Sequence, residues 1–160
     1  GMTVMSLRED MTFGTDLKSD CAPLGKMVER ILAAAPSTHV LRDPTRGGLG
    51  TTLNEIAAES VVGITLHEAA IPVKDEVRAA CEFLGLDPLY SACEGRLIAI
   101  VPEAESEAAL AAIQSDSHGT GAAIIGEVTA ENPGFVEMVT LMGGRRMVDW
   151  LTGEQLPRIC

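Results

Sequence analysis

Three stretches of the chain carry side chains able to do chemistry. The first closes the sequence: Gln155-Leu156-Pro157-Arg158-Ile159-Cys160. A cysteine at the tip of a chain is a thiol on a tether, held only by the backbone behind it, so one sulfur can visit two sites. Pro157 fixes one φ angle of that tether. The same residues also read as an ordinary frayed end. They are not a prenylation signal, which needs three residues after the cysteine. The second stretch is Asp43-Pro44-Thr45-Arg46-Gly47-Gly48-Leu49-Gly50. Proline and adjacent glycines make a tight turn with few side chains. Apolar residues at Leu49, Leu53, Ile56 and Ala57 put a helix directly after it. Free N–H groups at that helix start favour a phosphate, and Arg46 adds a cation that can fork onto it. Asp43 can hold a metal, orient the turn or simply pair with Arg46. Neither the GxxxxGK[ST] nor the GxGxxG spacing is present. The third is Ser91-Ala92-Cys93-Glu94-Gly95-Arg96. Glu94 heads an apolar strand, where a carboxylate is placed for acid–base work; pairing with Arg96 is the simpler alternative.

The elements that must position these residues follow from apolar spacing. Residues 3–20 read as a lead-in with one edge strand. Pro23 opens a helix with Leu24, Met27, Val28, Ile31 and Leu32 on one face. Thr38–Arg42 and Gly63–Leu66 read as strands. A helix from Lys74 aligns Val77, Ala80, Cys81 and Leu84 and stops at Gly85, with Cys81 a buried, inert thiol. Leu97–Val101 is a strand, and Glu103–Gln114 is an alanine-rich helix. His118 lies in a solvated loop. Ala122–Val128, Val136–Met142 and Arg145–Leu151 read as a closing meander, with Gly143-Gly144 as a two-residue hairpin turn. Met138, Met142 and Met147 are expected to fill the core. Alternating helices and strands predict one α/β layered domain with a mixed sheet covered by helices.

Composition bounds the function. The 160 residues are 46% hydrophobic and 3% aromatic, so the core is aliphatic. Twelve basic and 23 acidic residues give a net charge of −11. That argues against nucleic acid or an anionic membrane as a partner. Cys21, Cys81, Cys93 and Cys160 form no CxxC pair, and His39, His67 and His118 no HxxxH pair, so no zinc site is expected. Free thiols suit a reducing compartment. With no secretion signal and no apolar run of about 18 residues, a cytoplasmic protein is expected. Gly1-Met2 reads either as a scar before an initiator or as a cut within a longer chain.

Ser19-Asp20-Cys21-Ala22-Pro23-Leu24, the Asp43–Leu49 turn, Leu53-Asn54-Glu55-Ile56-Ala57, Glu94-Gly95 and the closing Pro157-Arg158-Ile159-Cys160 together resemble the C-terminal half of the HypE family. These are the carbamoyl dehydratases of NiFe-hydrogenase maturation. The resemblance runs the whole length. The Pro-Arg-Ile-Cys ending is specific to the family. The Asp-Pro-Thr-Arg-Gly-Gly turn is shared with the aminoimidazole ribonucleotide synthetase (PurM-like) superfamily, which also holds selenophosphate synthetase and thiamine-monophosphate kinase.

The resemblance implies a PurM C-terminal-like domain over residues 21–152, a lead-in over 1–20 from an N-terminal ATP-binding domain, and a mobile tail over 153–160. It implies that the carbamoyltransferase HypF loads a carboxamide onto the Cys160 sulfur. ATP with Mg2+, bound mostly by the N-terminal domain, then drives dehydration to a thiocyanate. The cyano group passes to the HypC–HypD iron scaffold. Glu94 corresponds to the base, and Asp43, Thr45, Arg46, Gly47 and Gly48 to part of a phosphate site; no metal ligands are implied. Cys93 stands where an asparagine is expected in relatives. The family dimerises mainly through the other half, so this stretch alone is expected to be monomeric and to have little dehydratase activity. Two other classes remain: an anion-binding scaffold with no chemistry at the tail, and a redox protein pairing Cys160 with Cys93.

Overall fold

The computed structural model describes residues 19–151. Most of the 1–20 lead-in, the 153–160 tail and Cys160 lie outside the described residues. In chain order the elements are α1 (Gly25–Ala34), β1 (Val40–Arg42), α2 (Gly48–Ser60), β2 (Gly63–His67), α3 (Asp75–Leu84), β3 (Ile98–Ile100), α4 (Glu103–Gln114), β4 (Gly126–Thr129), β5 (Val136–Val139) and β6 (Arg145–Met147). Short 3-10 turns cover Glu68–Ala70 and Pro88–Tyr90. The helices sit where the apolar spacing put them. On α1 the buried stripe is narrower than expected: Met27 and Ile31 are buried, but Leu32 is 46% exposed.

A mixed four-stranded sheet has the order β4-β2-β5-β6, and β1 pairs with β3 in a separate antiparallel ribbon. The central strand β2 runs antiparallel to β4 and parallel to β5. The last strands are therefore not a meander, because β2 lies between β4 and β5. Gly63 explains how the chain passes from one to the other. The Glu131 carbonyl lies where a Cβ of Gly63 would stand, so the crossing segment presses onto the start of β2. Gly134 N–H then bonds Val62 O at 2.9 Å.

The β5–β6 connection also differs from the expected two-residue turn. Thr140 N–H bonds Gly144 O at 2.8 Å, and Gly143 N–H bonds Thr140 O at 2.9 Å. Gly143, at φ +78°, takes the left-handed position of a three-residue loop, which ends β5 at Val139. As a result Met142 is 95% exposed at the loop tip; Met147, on the edge strand β6, is 44% exposed. Of the three methionines assigned to the core, only Met138 is buried there.

One core joins the layers. Leu53, Ile56 and Ala57 of α2 pack with Ile64 and Leu66 of β2, Val136 and Met138 of β5, and Ile98 of β3. Removing that surface from water is the main favourable contribution to folding. α1 and α4 pack against each other, and the Arg30–Asp116 pair at 3.4 Å ties α1 to the loop after α4.

Candidate functional site

After β1 the chain turns through residues 43–47 into α2. Pro44 is buried, whereas Asp43 and Arg46 are exposed. Among the described residues, Asp43 and Arg46 form no ion pair. Gly47 and Gly48 have φ of +68° and +61°, a left-handed conformation that glycine adopts without steric cost. A Cβ on Gly48 would stand 2.5 Å from Leu89 O and 2.7 Å from Ser91 O. Here backbone meets backbone with no room for a side chain. The first-turn N–H groups of α2 have no intrahelical acceptor, and that turn contains no acidic residue.

Two observations bear on whether this turn fits a phosphate. A Cβ on Gly47 would collide with Thr51 Oγ1, so the backbone is bare above that hydroxyl. Thr51 Oγ1 is buried and has no hydrogen-bond partner among the described residues, which is costly unless something pairs with it. An anion over bare glycines and a helix start fits that arrangement. Thr51 was not apparent from the sequence, though it lies four residues after Gly47, one helical turn on.

The polar knot 91–95 closes against the turn. Cys93 N–H donates to Pro44 O at 3.0 Å. Glu94 N–H donates to Asp20 Oδ2 at 3.2 Å. A Cβ on Gly95 would collide with the Asp20 carbonyl, so the segment 19–22 lies directly on Glu94-Gly95 as a strap. Three stretches far apart in sequence are thus brought together: strap, turn and knot. Of the residues singled out from sequence, Asp43, Thr45, Arg46, Gly47, Gly48 and Glu94 belong to this assembly, and Cys160 lies outside the described residues.

Cys93 is half-buried and donates its thiol to Ser91 O at 3.3 Å. Burial pushes its pKa up, partly opposed by Arg96 and reinforced by the Asp20 carboxylate. A thiol held protonated this way is a poor nucleophile. Cys81, 1% exposed on α3, is raised for the same first reason, with the Ser91 hydroxyl opposing. Both behave as packing thiols, as the sequence indicated for Cys81.

The stem of the tail is fixed beside the same assembly. Asn54, 4% exposed on α2, donates through Nδ2 to Gly50 O at 2.9 Å and Val148 O at 2.8 Å. Tyr90 Oη donates to Asp149 O at 2.7 Å, and its ring closes over Gly50. A cavity of about 560 Å³ lies elsewhere, between α1 and the 115–118 loop, lined by Lys26, Arg30, Asp116 and His118 among others. None of the candidate site residues lines it. Among the described residues, no group of three or more His, Cys, Asp or Glu side chains is placed to hold a metal. No helix there is long and apolar enough to cross a membrane.

Comparison with known proteins shows the family of the chain and the fold it shares. The family model described as "AIR synthase related protein, C-terminal domain" matches residues 1–139. Carbamoyl dehydratase HypE of Azotobacter vinelandii is 58% identical over 160 residues, which is 100% of this chain and 47% of that protein. A crystal structure of hydrogenase maturation protein HypE in complex with ATP superposes with a TM-score of 0.93 at 49% identity, covering 100% of this chain and 49% of that one. A HypE–HypF complex structure gives 0.90 at 42% identity, covering 94% and 49%. The chain therefore spans about half the length of the relatives it matches.

Proposed function

The chain belongs to the family of AIR synthase related C-terminal domains, and we propose that it works as the C-terminal half of a HypE-type carbamoyl dehydratase in NiFe-hydrogenase maturation. The observation that supports this reading is the meeting of strap, turn and knot: the Glu94 N–H is on Asp20 of the strap, and the neighbouring Cys93 N–H is on Pro44 of the turn that leads into α2. ATP supplies the phosphoryl group that turns a poor carboxamide leaving group into a good one. The Gly47–Gly48 backbone, Thr51 and Arg46 hold phosphate oxygens. Glu94 takes the amide protons as the carboxamide on the Cys160 sulfur becomes a thiocyanate. Proton removal and phosphate departure must be matched in space, and the Cys93–Pro44 bond couples the two sites.

The tail serves as a swinging arm. Its stem is held at Val148 and Asp149, and nine residues from 152 to 160 reach at most about 30 Å when extended. That span lets one sulfur enter a carbamoyltransferase and return. The structure of a HypE–HypF complex supports HypF as that partner, and the ATP complex supports the nucleotide. The HypC–HypD scaffold is the proposed cyano acceptor. In this reading an N-terminal ATP-binding half supplies most of the ATP and Mg2+ contacts and the dimer contacts, so this domain alone turns over little.

Intact mass tests the reading. The chain, joined to the N-terminal half of a relative, is incubated with HypF, carbamoyl phosphate and ATP. Cys160 is expected to gain a carbamoyl group and then convert to a cyano group, and Glu94→Gln to stall at the carbamoyl stage. An unmodified Cys160 beside an active HypF would overturn the tail's role and leave an anion-binding scaffold.

A further inference from the structure

We infer that Asp20 is a positioning residue for Glu94; this rests on the base role proposed for Glu94. Two consecutive N–H groups of the knot are held from different segments. Cys93 N–H is taken by Pro44 O at 3.0 Å, and Glu94 N–H by Asp20 Oδ2 at 3.2 Å. The first bond fixes the knot to the phosphate turn. The second fixes the base's own peptide to the strap, across 74 residues of sequence. A main-chain N–H bonded to a carboxylate is stronger than one bonded to a neutral oxygen. Its geometry orients the peptide plane from which the Glu94 side chain leaves. Gly95 makes the contact possible, because any side chain there would push the Asp20 carbonyl away. A base works only within hydrogen-bond reach of its proton, and displacement by about 1 Å can cost about 100-fold in rate.

The variants Asp20→Ala and Asp20→Asn, in the chain joined to the N-terminal half of a relative, separate this role from a purely structural one. Asparagine keeps an acceptor oxygen at the same position and alanine does not. Amide hydrogen exchange reads the bond directly. In Asp20→Ala, exchange at Glu94 is expected to quicken while Cys93, held by Pro44 O, keeps its protection. Conversion of the Cys160 carboxamide to thiocyanate is expected to slow about 10- to 100-fold with the KM for ATP unchanged, and Asp20→Asn to recover most of the loss. Equal slowing in both variants would overturn the inference. So would loss of protection at Cys93 and Glu94 together, which would make Asp20 a prop of the whole knot. Unchanged turnover in Asp20→Ala while Glu94→Gln still stalls would remove Asp20 and leave Glu94 as base. Full turnover in Glu94→Gln would remove the base role, and the inference with it.

Discussion

Gly48 is the residue at which the turn and the knot depend most closely on each other. A substitution there meets two separate penalties. The left-handed φ of +61° costs a residue with a Cβ about 1–2 kcal/mol. The Cβ would also stand 2.5 Å from Leu89 O and 2.7 Å from Ser91 O, and crowding against backbone adds about 1–3 kcal/mol. Gly85 is the control: its φ is +65°, but nothing lies within 4 Å of the added Cβ. We expect Gly48→Ala to destabilise the domain by at least about 2 kcal/mol and Gly85→Ala by about 1 kcal/mol, read as urea midpoints at constant slope. Equal effects would mean that the turn does not press on the knot. The glycine pair was legible as a turn because side-chain-poor dipeptides have few other uses. Its partners were not, since the carbonyls that forbid a side chain come from the Pro88–Tyr90 turn and the residue after it, some 40 residues on. The same holds for Asp20, whose link to Glu94 no local pattern contains.

Elements whose ends are set by local chemistry were read closely, and those set by distant packing were not. α4 begins at Glu103 behind Pro102 and runs to Gln114, as alanine content and an acidic first turn predict. The closing strands are shorter and differently ordered because β2 enters between them and Gly143 forms a longer loop. α2 shows a local conflict that its sequence conceals. Its C-cap is Val61, at φ +54° and ψ +47°, with its N–H on Ala57 O. A β-branched residue there is strained by about 1–3 kcal/mol. Val61 is 70% exposed, so its side chain contributes little burial in return. We expect Val61→Gly to stabilise the domain by about 1 kcal/mol despite the added freedom of the unfolded chain, raising Tm by about 2–4 °C. A fall in Tm would mean that the Val61 side chain packs usefully or that the cap is not left-handed.

At the scale of the whole molecule, pH acts on stability from both ends, through groups that lie far from the candidate site or within its knot. Arg30–Asp116, Arg42–Glu55 and Arg146–Asp87 join separate elements, but exposed pairs each contribute little. Asp116 is distinguished by its pKa, held below the ordinary 3.8 first by the His118 backbone N–H and then by the His118 side chain and Arg30, against some desolvation. A lowered folded pKa means that the unfolded state binds the proton more readily. The Asp116 contribution is therefore present above 3.8 and is lost as pH falls through the folded value. The thiols of Cys81 and Cys93 have the opposite sign. Burial raises both above the ordinary 9.0, so the unfolded state ionises first. Their contribution is complete below 9.0 and declines as pH rises towards the folded values. Net charge of −11 adds self-repulsion at high pH, so only variants can assign the limbs. We expect the urea midpoint to hold a plateau between the two windows and to fall on either side. Asp116→Asn should make the acid limb shallower and leave the alkaline one unchanged, whereas Cys93→Ala should do the reverse. If neither limb changes slope, the pH dependence arises from charge spread over the surface, and the loop after α4 and the knot fold independently of their titrating groups.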